Sequence, residues 1–125
     1  VTQPVRLHLS REKGFNLQKL SRSVNGLEAV ACGRPSTWGN PFRIGIGCWM
    51  PGETDQVVAE NSEDAVALFR QWLTYFVEND TPGCAETRAA LGDLRGKNLA
   101  CWCDLGGPCH ADVLLELANA PEGKL

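Results

Sequence analysis

The feature that most constrains this fold is a run of apolar residues at helical spacing. Ala65, Leu68, Phe69, Trp72, Leu73 and Phe76 fall at i, i+3, i+4, i+7, i+8 and i+11, so a helix from about Glu63 to Glu78 presents one continuous apolar face. Asn61 or Ser62 is placed to cap it, Glu63 and Asp64 suit its positive end, and Asn79-Asp80-Thr81-Pro82-Gly83 stops it. Burying that face is worth on the order of 10 kcal/mol before entropy is subtracted, so the chain must supply a second layer to cover it.

The flanking sequence supplies strands. Val5 to Leu9 alternates apolar and polar residues, the signature of a half-buried strand. A polar segment with Gly14, Asn16, Ser21, Ser23 and the turn signal Asn25-Gly26 follows, then Leu27 to Cys32 reads as a second strand. From Gly33 to Gly52, Gly and Pro recur so often that an ordered loop is expected, with a brief strand at Phe42 to Ile46 and with Trp38, Phe42 and Trp49 packed down. A shorter helix, about Ala85 to Leu94, precedes a buried strand from Asn98 to Cys103, a Gly-Gly-Pro turn and a helix from Cys109 to Asn119. This order predicts an α/β fold in a single domain over residues 1–125: a small, partly parallel sheet flanked by helices, closing with a strand-Cys-turn-helix unit.

Charge narrows the partners. The net charge of −3 argues against a protein that coats extended duplex DNA. Residues 1 to 43, however, carry seven Lys and Arg against two acids, a balance of +5, and the remainder stands at −8. The asymmetry suggests either a local anion site, such as one for phosphate, or a solvated surface that is merely uneven. No apolar run approaches the ~20 residues that span a bilayer, and Val1-Thr2-Gln3-Pro4 has no signal-peptide character, so a cytoplasmic protein with no membrane partner is expected. In that compartment the six cysteines read as reduced thiols rather than three disulfides.

Four soft donors lie within ten residues in the pattern C-x-C-x5-C-H. In one reading the predicted strand end and the following helix start form a ligand crevice, where free N–H groups and the helix dipole favour an anion and lower a thiol pKa. Cys109 and His110 are then candidates for nucleophile and acid/base, with Asp112 and Cys103 close by. In the alternative, Cys101, Cys103, Cys109 and His110 ligate zinc. Against it, adjacent side chains on a helix diverge by ~100°, and the paired C-x2-C knuckles are missing. Two further readings stay open: buried thiols with a capping His and with Asp112 serving only the helix end, or a redox pair of Cys103 and Cys109. Trp102, between two cysteines on a strand, is expected in the core, and Cys32, Cys48 and Cys84 are read as packing residues.

A second constellation, Arg34-Pro35-Ser36-Thr37-Trp38-Gly39-Asn40-Pro41-Phe42, follows a predicted strand. With Ser36, Thr37 and Gly39 as further ligand-binding candidates, the loop can contact a phosphate through Arg34 and backbone N–H groups, Trp38 can stack a base, and Asn40 can read a base edge or hold the turn. Equally, Trp38 and Phe42 can anchor a long loop while Asn40 satisfies backbone groups.

Three blocks carry a family resemblance: Arg34 to Phe42, the AVALFRQWL segment from Ala65 to Leu73, and Leu94 to Cys103 leading to Pro108-Cys109-His110-Ala111-Asp112-Val113-Leu114. From about Arg11 to Asn119 the chain resembles the small bacterial and phage family catalogued as domain of unknown function 4326. Its cysteine-strand and Cys-His ending is more loosely similar to the uncharacterised family numbered 488. The resemblance implies a small α/β fold, a site at the helix start, and a context of nucleotide or nucleic-acid processing or phage-host conflict. The leading expectation is therefore a nucleotide-like or other phosphate-bearing ligand bound between the Arg34–Phe42 loop and the Cys103–Asp112 turn. The rival is a non-enzymatic, zinc-stabilised binding or inhibitor module that acts on a host protein.

Overall fold

The structure is a computed structural model and describes residues 3–34, 36–79, 82–103 and 105–120. Val1, Thr2 and Pro35, and the Asp80-Thr81 pair expected to help stop the long helix, lie outside the described residues.

One short strand organises the rest. β5 (Asn98–Cys101) is buried at every residue because it runs between two parallel partners, β1 (Arg6–His8) and β2 (Ala29–Ala31). In register, Leu7 and Ala31 flank Ala100, and Arg6 and Val30 flank Leu99. The two-residue pleat then sorts side chains. Leu7, Ala29 and Ala100 pack with Leu17 of α1 (Leu17–Asn25), while Leu99 and Cys101 join the larger core built by α2 (Ser62–Glu78), α3 (Pro82–Gly92) and α4 (His110–Ala118). A parallel sheet covered on both faces by helices is the expected α/β arrangement.

The long helix forms as its periodicity predicts. Asn61 caps it by accepting from Asp64 N at 2.8 Å, and Asp64 accepts in return from Glu60 N, just ahead of the cap, at 2.9 Å, so one first-turn donor is satisfied and the entering chain is tied to the helix. Its most buried stripe is Ala65, Phe69, Leu73 and Val77, with Leu68, Trp72 and Phe76 half-buried beside it.

Three expectations need correction. The polar segment after β1 is not merely turn: it holds α1, started by Asn16 accepting from Lys19 N and ended by Gly26, whose φ of 80° closes the helix onto Arg22 O. The brief strand at Phe42 to Ile46 is a single bridge, Ile44 to Ala59, and the regular pairing lies just beyond it between β3 (Gly47–Cys48) and β4 (Val57–Val58). Trp49 is 63 % exposed: just past the end of β3, Met50 turns into the core and its neighbour faces solvent. No helix among the described residues is long and apolar enough to cross a membrane.

Candidate ligand cleft and cysteine cluster

Parallel pairing decides where the chemistry collects. Because β2 and β5 run the same way in register, the residues leaving their carboxyl ends, Cys32–Arg34 and Cys101–Cys103, emerge side by side. Open α/β sheets bind ligands at that edge. A cleft of about 360 Å³ lies there, with Arg34, Arg43, Trp102, Cys103, Cys109 and His110 among its lining residues. It joins the two constellations that the sequence keeps some seventy positions apart.

On the cysteine side, β5 ends at Cys101 and α4 begins at His110. Cys109 is the helix N-cap in extended backbone (φ −152°, ψ 139°), and its sulfur accepts from Ala111 N at 3.5 Å. The expected ~100° divergence of neighbouring helical side chains therefore does not apply to Cys109 and His110. Cys101 Sγ and Cys109 Sγ are 2.8 Å apart, and the sulfurs of Cys101, Cys103 and Cys109 all lie within 4.8 Å of one another, a spacing that can hold a metal ion.

His110 is fixed by its surroundings. Nε2 lies 2.7 Å from Cys32 O, and a carbonyl only accepts, so Nε2 carries the proton and Nδ1 keeps its lone pair. That Nδ1 is 3.8 Å from Cys109 Sγ. Phe69 of α2 packs edge-on against the imidazole at 5.2 Å, holding the ring's plane.

Electrostatics separate the three thiols. The hydrogen bond from Cys101, joined by those from Ala111 N and Cys103, holds Cys109 well below the usual thiol range against the opposing effect of burial. Cys101 is pushed up by that same hydrogen bond and by burial, and Cys103 is pushed up chiefly by burial. Negative charge in the cluster thus concentrates on Cys109. Arg6 answers it: its side chain is 8 % exposed, hydrogen-bonds Cys109 and stands 3.2 Å from Asp112. The same guanidinium donates to the carbonyls of Leu105 and Gly107, while His8 Nδ1 donates to Cys103 O at 3.0 Å, so β1 clamps the loop between the cysteines. Asp112 itself is more than half exposed and pairs with Arg6.

The loop side is held by its own polar groups. Arg34 donates to Asn40 O at 2.7 Å and Phe42 O at 3.0 Å; Asn40 donates to Ala65 O of α2 and accepts from Phe42 N. Arg34 and Asn40 line the cleft, whereas Ser36, Thr37, Trp38 and Gly39 are not among its lining residues. Trp38 is half-buried against the core, and Gly39 sits so close to the Arg34 backbone that a Cβ would meet Arg34 Cα at 3.1 Å.

Two lining residues carry no assignment from the sequence. Arg43, counted only in the basic N-terminal third, has a side chain with neither a hydrogen bond nor an ion pair among the described residues, and burial, followed by the Arg43 charge, disfavours the charge on Arg34. Trp102, expected in the core, is 39 % exposed because it lies one residue past the last paired position of β5, where no helix covers it; Arg11 covers its ring at 4.2 Å. A Cβ on Gly33 would meet Trp102 Cδ1 at 3.1 Å, so the indole is pinned between the two strand ends. Cys32 and Cys84 are fully buried and Cys48 half-buried, as packing residues would be.

The family described as Domain of unknown function (DUF4326) matches residues 15–120 of the chain. No curated protein and no solved structure matches it significantly.

Proposed function

The chain belongs to the DUF4326 family, whose description carries no activity, and from that premise and its own geometry we propose that it binds a nucleotide-like or other phosphate-bearing ligand in the cleft at the carboxyl ends of β2 and β5. The observation that carries the reading is that Arg34 and Arg43 line one cleft with the N-cap of α4. Two guanidinium groups lining one cleft favour an anion there, and the helix start adds its dipole in the same sense. The cleft's volume lies in the range of small-ligand pockets, roughly 300–1,000 Å³.

The two arginines have different tasks. Arg34 already donates to two loop carbonyls, so it shapes the rim and lends charge. Arg43, with no partner among the described residues, is the group expected to bind the ligand directly. Binding is tested by calorimetry and thermal shift of the reduced protein against pyrophosphate and a panel of nucleoside phosphates. Stabilisation that grows with ligand concentration is expected for wild type, with affinity reduced in Arg43→Ala by about 1.5–3 kcal/mol, the worth of a charged hydrogen bond. Equal affinity in wild type and Arg43→Ala would sink the assignment.

A further inference from the structure

We propose that the floor of this cleft is a metal centre in which Cys101, Cys103 and Cys109 bind one zinc-class divalent ion as thiolates and His110 Nδ1 supplies the fourth donor. Three independent features converge on it. The first is distance. An ion about 2.3 Å from each sulfur in a tetrahedron sets its ligand sulfurs roughly 3.8 Å apart; the trio, spread over no more than 4.8 Å with its closest pair at 2.8 Å, brackets that value and adjusts by about 1 Å.

The second is the histidine. A ligating imidazole characteristically gives its other N–H to a carbonyl, which fixes the tautomer and aims the lone pair. His110 does so through Nε2 and Cys32 O, leaving Nδ1 at 3.8 Å from Cys109 Sγ. A tetrahedral ion separates a ligating sulfur and nitrogen by roughly 3.5 Å. The three sulfurs alone lie mutually within 4.8 Å, so His110 Nδ1 approaches from beside Cys109 and moves in toward the other two sulfurs as it ligates.

The third is charge. Three thiolates around a dication leave one net negative charge, and the buried guanidinium of Arg6 lies against it, hydrogen-bonded to Cys109. Ala111 N adds a second donor to the same sulfur. These are the outer partners that stabilise a thiolate on a metal. On binding, each thiol still protonated releases its proton to solvent, so no oxidant or reductant is involved.

The proposal is independent of the phosphate ligand, because the ion can be read with no phosphate present. Reduced protein is titrated with Co²⁺, followed by Zn²⁺ competition and elemental analysis. The expected result is about one equivalent of metal, an intense thiolate-to-cobalt charge-transfer band with tetrahedral d–d bands, and displacement by zinc. Cys103 is the half-buried member of the trio and hence the least coupled to the core, so Cys103→Ser is the first variant. Its affinity should fall by more than the roughly 10–100-fold lost on removing an outer partner. Should that variant fail to fold, alkylation of the wild-type protein decides the same question: zinc should protect Cys103 and leave Cys48 reactive. His110→Ala should keep the charge-transfer band and shift the d–d bands, and an unchanged d–d spectrum would remove His110 from the ligand set. Absence of the charge-transfer band in wild type, with Cys103 alkylated equally fast with and without zinc, would overturn the metal centre.

Discussion

The two ends of β5 solve opposite problems. At its start, Asn98 is fully buried and saturated: its side chain accepts from Val5 N and Asn25 Nδ2 and donates to Ser21 Oγ and Asn25 Oδ1, all within 2.9 Å. At its end, three residues on, Cys101 enters a cluster whose sulfurs are crowded together and whose neighbouring imidazole keeps a lone pair beside Cys109. A polar group with every partner supplied from within the fold is a structural clamp, here joining β1, α1 and β5. Donors gathered with their capacity unspent, at the carboxyl edge of a parallel sheet and open to a cleft, are what a ligand or ion requires.

The largest effect should come from breaking the saturated end. Asn98→Ala leaves Ser21 and both ends of the Asn25 amide short of a partner, along with Val5 N, and is expected to cost about 3 kcal/mol or more by urea denaturation. Metal and anion affinities measured on the remaining folded protein should be unchanged. A loss below about 1 kcal/mol would mean that water readily replaces those bonds, and the contrast between the two ends would fail.

Arg6→Leu probes the other end and should be intermediate. The substitution removes the clamp on the Leu105 and Gly107 carbonyls and the cation beside Cys109, and is expected to destabilise by about 2 kcal/mol. Unlike Asn98→Ala, it should also weaken Co²⁺ binding, within the roughly 10–100-fold expected of an outer partner. Stability lost with metal affinity intact would assign Arg6 to the fold alone.

How much of the molecule is legible in the sequence follows the range of the contacts. The long helix, the buried strand and the Cys-His helix start are readable because their signals are local: apolar spacing in 65–76, an apolar run at 98–101, a Gly-Gly-Pro turn ahead of Cys109. α1 is hidden because its apolar residues Leu17, Leu20 and Val24 are diluted by polar ones, and Asn25-Gly26, which looks like a turn, is a helix stop. Arg6 and His8 reach the cysteine loop across more than ninety positions through parallel pairing, which leaves no local trace. Trp102 and Trp49 depart from the buried positions expected of them for one reason: hydrophobicity predicts burial only where a layer exists to cover the residue.

The smallest effect on the fold, and the sharpest on function, should come from Arg43→Ala. The side chain is exposed and makes no hydrogen bond or ion pair among the described residues, so its removal should change stability by no more than about 0.5 kcal/mol. Arg34→Ala is the less informative companion, because it releases the carbonyls of Asn40 and Phe42 and loosens the rim along with the charge. Pyrophosphate affinity should therefore fall in both variants, with melting temperature falling only in Arg34→Ala. If Arg43→Ala unfolds as Arg34→Ala does, Arg43 is a brace of the loop, and the anion must be sought from Arg34 and the helix start alone. If affinity drops at unchanged stability, the unspent cation at the cleft is the counterpart of the unspent donors on its floor, and both belong to one site.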